Sequence, residues 1–315
     1  MRTAYTTQLG KTIIGDCAEV LQTLDDNSID LIITSPPFPL EGRKKSYGNL
    51  EGQDYINWLT NIGKIVYPKL KDTGSFIIDL GAVYNKGLPT YSLYQYRLLI
   101  KFCDDLKYNL AQPFYWHNTS ALPSPIEWVN KKKLRAKNSV NTIWWFSKFP
   151  NPKANIMNVL APYSKRMEQF ISRPEEFVKY ENAVRPSGHV MNKGSWAKNN
   201  GGAIPPNLLQ FSNSSSNGKY LRYCKACSIS GHPARFPIEI PNFFINFLTQ
   251  KGDLIVDIFA GSNTTGESAE NLDRRWISIE LLDEYAAASS FRFCENENQA
   301  QNSYLSILNG QAINF

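Results

Sequence analysis

Two short stretches of the chain hold the residues best able to do chemistry. The first is Asp30-Leu-Ile-Ile-Thr-Ser35-Pro36-Pro37-Phe38, an apolar run that delivers a hydroxyl, two prolines and an aromatic ring. Proline has no N–H, so the pair offers carbonyl acceptors without competing donors, a wall suited to an amino group. An exocyclic amine donating to the Ser35 hydroxyl and the Pro36 carbonyl has its lone pair drawn out of ring conjugation, ready to attack an electrophilic carbon. Phe38 would stack on a base taken out of a duplex. The plainer alternative is a strand-ending turn with Phe38 in the core. A serine hydrolase is excluded, because Ser35 is followed by two prolines and not by the small residue and helix of a nucleophile elbow.

The second stretch is Asp257-Ile-Phe-Ala-Gly-Ser-Asn-Thr-Thr-Gly266, an apolar strand entering a small-residue turn and then a helix. Such a turn lets a ligand approach the backbone closely, at the strand end where doubly wound sheets bind their ligands. Neither the Gly-Lys-Ser/Thr of a phosphate cradle nor the GxGxxG spacing is present. The following strand, RWISIE, ends in Glu280, a carboxylate placed to accept from both hydroxyls of a ribose. The pattern implies a nucleoside without polyphosphate. Here the plain alternative is a tight turn at Gly261 and a solvated strand end at Glu280.

The elements that must position these groups can be read from periodicity. Residues 12–16, 30–34, 74–79, 112–118 and 142–147 read as strands, most of them near-continuously apolar as buried sheets require. Residues 54–70 and 92–108 show the i, i+3, i+4 spacing of helices, so strand and helix alternate and the class is α/β. After Pro150 the pattern dissolves into RPSGH, NNGGAIPPN and SNSSSNG, and from Pro237 a helix-like stretch ending in PNFFINFL returns. The core resumes with 254–259, a helix from about Thr264 to Leu272, the strand to Glu280 and the helical EYAAASSFRF. Trp144, Trp145 and Phe146 read as strand core.

Charge marks the interruption. The net +6 hides 18 Lys and Arg against 4 Asp and Glu between Lys131 and Arg235, a local +14, with the rest of the chain at −8. A basic middle between acidic flanks fits a polyanion-binding insertion on an enzyme core, since each neutralised phosphate releases counterions. Lys131, Lys132, Lys133 and Arg135 are its densest run; alternatively they solvate one face. With 315 residues, 42% hydrophobic and 20% charged, the chain can bury a proper core, which excludes a disordered chain or fibre. No stretch has the apolar length of a membrane span or signal core, and five cysteines, mostly isolated, fit reduced thiols; a cytoplasmic protein is expected. Cys224-x-x-Cys227 near His232 lacks a second pair at finger spacing, so no metal is expected.

Together the two motifs resemble the β-class amino-methyltransferases that modify DNA, with SPPF near the N-terminus and the cofactor motif near the C-terminus. The likeness extends through YGNLE, LPSPIEWVNKKK, NTIWWFSK, LAPYS, RPSGH, IPPNLLQ, HPARFP and DIFAGSNTTG, nearly the whole chain, and is strongest to the cytosine-N4 enzymes of restriction–modification systems. It implies a circularly permuted, seven-stranded S-adenosylmethionine-dependent methyltransferase sheet, Rossmann-like, with an inserted, largely irregular target-recognition region. The implied division is a catalytic half over 1–150, recognition over 151–230 and a cofactor half over 231–315. By the same resemblance Ser35, Pro36, Pro37 and Phe38 are catalytic, and Asp257, Phe259, Gly261, Ser262, Asn263 and Thr264 line the methionine and ribose side. Glu280 takes the ribose hydroxyls, Asp16, at the end of the first strand, lies near the adenine amino group, and 232–237 closes over the methionine end. Asn263 is a departure, since many relatives have Gly there. Asp79, ending FIIDLG, orients Ser35 or contacts the target amine, or else caps the next segment.

The implied partners are double-stranded DNA carrying a short specific site, CAGCTG by likeness, and a restriction endonuclease as functional counterpart. Arg185 and His189 join the lysine run as DNA contacts, and the oligomeric state stays open. Adenine-N6 methylation uses the same amine chemistry, usually with Asp in place of Ser35, and a DNA-binding module that has lost catalysis is the non-enzyme alternative. Carbon-5 methylation needs a cysteine nucleophile, typically after proline, and no cysteine here follows one.

Overall fold

The computed structural model describes residues 1–39, 50–173, 186 and 198–315, and divides into two units, one of 1–154 with 207–315 and one of 155–206. Arg185 and His189 lie outside the described residues. The first unit begins with β1 (Arg2–Thr6), β2 (Gly10–Ile14), α1 (Cys17–Gln22) and β3 (Ile29–Thr34). It continues with α2 (Gly52–Lys69), β4 (Leu70–Leu80), α3 (Tyr94–Asp104), β5 (Asn109–Asn118) and β6 (Val140–Ser147). In the second unit a 3-10 turn at Ile156–Val159 precedes α4 (Lys165–Ser172), and paired backbone at Ala161 and Ala203 brings its ends together. The first unit resumes with β7 (Leu208–Phe211), α5 (Gly218–Ala226), α6 (Glu239–Leu248), β8 (Leu254–Asp257) and α7 (Thr264–Asn271). It closes with β9 (Arg275–Glu280), α8 (Asp283–Ser289), α9 (Glu297–Leu308) and β10 (Ile313–Asn314).

Among the described residues ten strands form one sheet in the order β10-β1-β2-β9-β8-β3-β4-β6-β5-β7. Its central run is the expected seven: β2, β9, β8, β3 and β4 are mutually parallel, and β6 is antiparallel to both β4 and β5. Strands late in the chain, β8 and β9, sit between β2 and β3, which is the permutation seen in space. Three short edge strands lie beyond the periodic signal. β1 and β10 extend one edge, and β7 extends the other by pairing with β5.

The second compact unit covers 155–206, a shorter span than the 151–230 expected for recognition, because β7 and α5 belong to the sheet unit. Tyr220, Tyr223 and Cys224 of α5 are buried against Phe291 and Cys294, which is why that polar-looking segment folds onto the core.

The sheet is apolar on both faces. Ile32, Phe76, Ile78, Trp144, Phe146 and Val256 are buried beneath α2 and α3 residues such as Tyr55, Leu59, Leu98 and Phe102. On the other face α6 sets Phe244 and Phe247 against Phe114 and Trp145. Trp144, Trp145 and Phe146 are thus core, at 5, 6 and 1% exposure. Burial of this extent on two faces leaves only the strand ends free for polar side chains.

Candidate active site

Strand register places the chemistry. β3 and β8 are parallel neighbours (Leu31 beside Ile255, Ile32 beside Val256), so SPPF and the small-residue turn leave the sheet side by side. The Thr34 hydroxyl donates to Asp257 Oδ1 at 2.7 Å and fixes one strand end to the other. Asp257 also accepts from the Phe259 N–H at 3.1 Å and the Thr265 hydroxyl at 2.6 Å, so both oxygens shape the turn. Its burial raises the carboxyl pKa, and these hydrogen bonds oppose the rise.

β9 brings Glu280 beside that turn. Its Oε2 accepts from the Gly261 N–H and its Oε1 from the Leu282 N–H, each at 2.9 Å, which holds the carboxylate while leaving further lone pairs on each oxygen. Burial raises its pKa too, against these backbone donors. Gly261 has φ +50, and a Cβ there would press on the His232 ring at 3.0 Å, so the turn needs glycine both for conformation and for space. His232, in the HPARFP segment, is held neutral by burial and by nearby Arg235, its pKa pushed down to about 4.

Asp16 differs from expectation in one respect: β2 ends at Ile14, and Asp16 is the N-cap of α1. Its Oδ1 accepts from Ala18 N–H at 2.8 Å and Glu19 N–H at 3.3 Å. It nevertheless lies on the cavity wall with Glu280, because β2 pairs with β9.

Asn263 is placed differently from the other cofactor candidates. It is fully buried at φ +56, and its side chain caps α7 by accepting from Gly266 N–H at 2.9 Å. The same amide accepts from Ser278 Oγ at 2.5 Å and donates to Tyr5 Oη at 2.9 Å. Asn263 therefore knits α7 to β1 and β9 and does not line the cavity. The left-handed backbone explains why glycine serves relatives at this position, and Asn tolerates it better than most residues.

Ser35 and Asp79 meet because β3 pairs with β4, Thr34 opposite Ile78. The Ser35 hydroxyl donates to Asp79 Oδ2 at 3.1 Å, and Asn141 Nδ2 donates to the same oxygen at 3.2 Å. Asp79 is 3% exposed, and its Oδ1 has no hydrogen-bond partner among the described residues. Burial pushes the carboxyl up to about 7, with the Asn141 and Ser35 hydrogen bonds resisting. The reading of Asp79 as the group that orients Ser35 thus has its geometry, whereas a cap of the next segment has none. Phe38 packs on Gly81, where a Cβ would overlap its ring, and keeps part of its surface on the cavity.

These groups line one cavity of about 640 Å³, within the range of ligand pockets. Its wall includes Asp16, Gly261, Glu280 and Tyr285 together with Ser35, Pro36, Phe38, Asp79 and Asn141. Phe259 packs against Trp58 with ring centres 5.5 Å apart, and both are on the same wall. Cys17 is also on the wall, but burial pushes its thiol up to about 12, so it offers no thiolate. No cluster of His, Cys, Asp or Glu among the described residues could hold a metal ion.

Three further residues escaped the sequence reading. Asn141 reaches Asp79 because β6 runs antiparallel, so its first residues meet the ends of the parallel strands. Arg292, 4% exposed, donates from Nη2 to Ser262 Oγ at 3.0 Å and Thr264 Oγ1 at 2.7 Å, and pairs with Glu267 at 2.6 Å, bracing the turn from beneath. Trp58 came from a helix read only as scaffold.

The basic run is partly committed. Lys131 and Lys132 lie 3.3 and 3.5 Å from Glu127, and Lys132 also sits 4.3 Å from the Trp128 ring centre. Arg135 packs against the stacked pair of Tyr84 and Tyr91, whose ring centres are 4.9 Å apart; its guanidinium carbon lies 4.3 and 4.2 Å from those centres, and it donates to the Pro89 carbonyl. It anchors its loop.

The family model described as DNA methylase matches residues 29–291. The type II methyltransferase M.PvuII of Proteus hauseri is 53% identical over 315 residues, covering 99% of this chain and 93% of that protein. A solved structure of a PvuII DNA methyltransferase, described as cytosine-N4-specific, superposes with a TM-score of 0.81 at 47% identity, covering 99% of this chain and 97% of that one. At 17% identity, a putative DNA modification methylase from Thermus thermophilus, solved with S-adenosyl-L-methionine, shares the fold with a TM-score of 0.53 over 96% of this chain and 98% of that one.

Proposed function

The chain belongs to the DNA methylase family, and we propose that it transfers a methyl group from S-adenosylmethionine to the exocyclic N4 of a cytosine flipped out of duplex DNA. The carrying observation is that the Ser35–Asp79 pair and the Gly261–Glu280 cradle open into one cavity along a single sheet edge. The cradle fits S-adenosylmethionine: buried carboxylate oxygens with lone pairs for the ribose, a glycine turn for close approach, and an aromatic wall. That cofactor supplies an electrophilic methyl on a sulfonium.

The protein's part is to place and deprotonate the amine. Ser35 Oγ, while donating to Asp79, accepts from the amine, and the Pro36 carbonyl is the second acceptor. Phe38 holds the ring by stacking. Once the nitrogen has bonded to carbon it is strongly acidic, and its proton passes through Ser35 to Asp79, whose raised pKa lets it keep that proton near neutrality. Positioning supplies much of the rate.

The protein would act in the cytoplasm on a short site, CAGCTG by likeness, protecting it from a cognate endonuclease; no helix among the described residues is long and apolar enough to cross a membrane. Incubation with labelled cofactor and duplex DNA, followed by mass spectrometry of nucleosides, should give N4-methylcytosine. N6-methyladenine would overturn the base assignment, and 5-methylcytosine the mechanism.

Glu280→Ala should weaken S-adenosylmethionine binding by roughly 1–3 kcal/mol, the scale of hydrogen bonds to a charged group. Part of that loss comes from the Gly261 N–H, which the substitution leaves without its acceptor. Calorimetry showing unchanged affinity would remove Glu280 from the ribose site.

Replacing Lys131, Lys132 and Lys133 together by Ala should flatten the salt dependence of DNA affinity by up to about one unit of slope for each phosphate left unneutralised. Because Glu127 already pairs with two of these lysines, the change should fall short of the full three charges. An unaltered slope in filter binding would return the run to a solvated face.

A further inference from the structure

Between β5 and β6 runs a 21-residue loop, 119–139, whose two ends meet at the cavity: Ala121, Asn138 and Ser139 are on its wall. The next residue after Ala121 is Leu122, at 80% exposure the most exposed large apolar side chain among the described residues. A single exposed leucine is ordinary. What sets this one apart is how firmly the backbone beneath it is held.

The Lys137 ammonium donates to the Ala121 carbonyl at 2.8 Å, and the Asn138 N–H to the Ser124 carbonyl at 3.0 Å. On one side Ser120 shares hydrogen bonds with Ser212 and Asn213 at 2.8 and 2.9 Å. On the other, the contact of Arg135 with the stacked Tyr84 and Tyr91 ties the loop to the segment after β4, and Tyr91 Oη donates to Asn138 Oδ1 at 2.5 Å. The same loop carries five Lys and Arg against one acidic residue, Glu127. An apolar side chain on a braced, cationic loop whose ends line the active-site cavity has the chemistry to meet a polyanion whose interior is apolar and stacked.

We propose that Leu122 is the wedge that enters the base stack of the DNA and fills the place left by the target base, with the 119–139 loop as the arm that carries it. This rests on the base-flipping reading of the active site. Flipping exchanges stacking for pocket contacts, and an inserted side chain removes the vacancy that would otherwise draw the base back.

The test is Leu122→Ala, with Leu122→Met as the conservative variant, in full-length protein with S-adenosylmethionine binding measured as a fold control. On a matched duplex the Ala variant should methylate about tenfold more slowly than wild type, with the Met variant near wild type, since unstacking costs a few kcal/mol. With the target cytosine placed opposite an abasic site, where flipping is cheap, the Ala variant should recover to within about twofold of wild type. A rate on matched duplex equal to wild type, or an equal loss on both duplexes, overturns the wedge. Failure of the wild type to methylate either duplex would instead overturn the function on which it rests.

Discussion

Ser35→Ala should lower methyl-transfer turnover by about tenfold to a thousandfold, comparable to removal of one preorganised hydrogen-bonding group, while S-adenosylmethionine binding changes little. The hydroxyl is the link between substrate and carboxylate: it donates to Asp79 at 3.1 Å and keeps lone pairs for the amine. Without it the amine loses one of two acceptors, and the route for its proton loses its middle member. The proposed cofactor contacts are made by other groups, Gly261 and Glu280, so affinity there is the internal control. Ser35→Thr tests the geometry, because it restores a hydroxyl and adds only a methyl. Single-turnover rates on duplex DNA with saturating cofactor give the comparison. An Ala variant within twofold of wild type would mean that Pro36 and Phe38 position the base without Ser35.

What the sequence disclosed and what it hid follow from how strand ends are assembled. Ser35, Asp79, Asp257 and Glu280 were legible because each is a polar residue closing an apolar run, and parallel strands deliver all such ends to one edge. Asn141 was not, because it opens its strand: only the antiparallel course of β6, invisible to periodicity, brings an opening residue to the closing ends of the others. Asn263 was placed on the cofactor by its neighbours in the motif, but a left-handed backbone turns its amide toward Tyr5 and Ser278. Arg135 reads as a cation in a run of cations, since nothing in sequence shows it packing against a Tyr84–Tyr91 stack from some fifty residues earlier. Arg292 sat unnoticed in an apolar helix end, where a buried guanidinium needs five satisfied donors that only the folded turn supplies. β1, β7 and β10 were missed as short edge strands with mixed burial.

Asp79→Asn should cost turnover by a comparable factor, about a hundredfold, within the usual range for a positioned acid–base group, and should also change the pH dependence in two separable ways. The amide oxygen can still accept from Ser35, so the hydroxyl keeps its orientation; what is lost is a group that takes up a proton. In wild type, turnover should rise as pH passes through about 7, the value to which burial pushes this carboxyl, because only the charged form accepts. The variant should lack that rise. Stability carries the opposite sign. The folded protein holds the Asp79 proton up to about 7, whereas the unfolded chain releases it near 4, the ordinary carboxylate value. Between those limits the native state binds more protons, so wild-type stability should fall as pH rises from about 4 to about 7. Asp79→Asn should remove up to one proton from that slope, leaving the contributions of Asp257 and Glu280, whose pKa values burial also raises. Denaturant unfolding of both proteins at a series of pH values measures the slope, and single-turnover rates measure the activity profile. If the variant kept the wild-type rise in rate, the proton acceptor would be another group. If its unfolding slope also matched wild type, Asp79 would be ionised in the folded state throughout and the desolvated, proton-holding carboxyl would be ruled out.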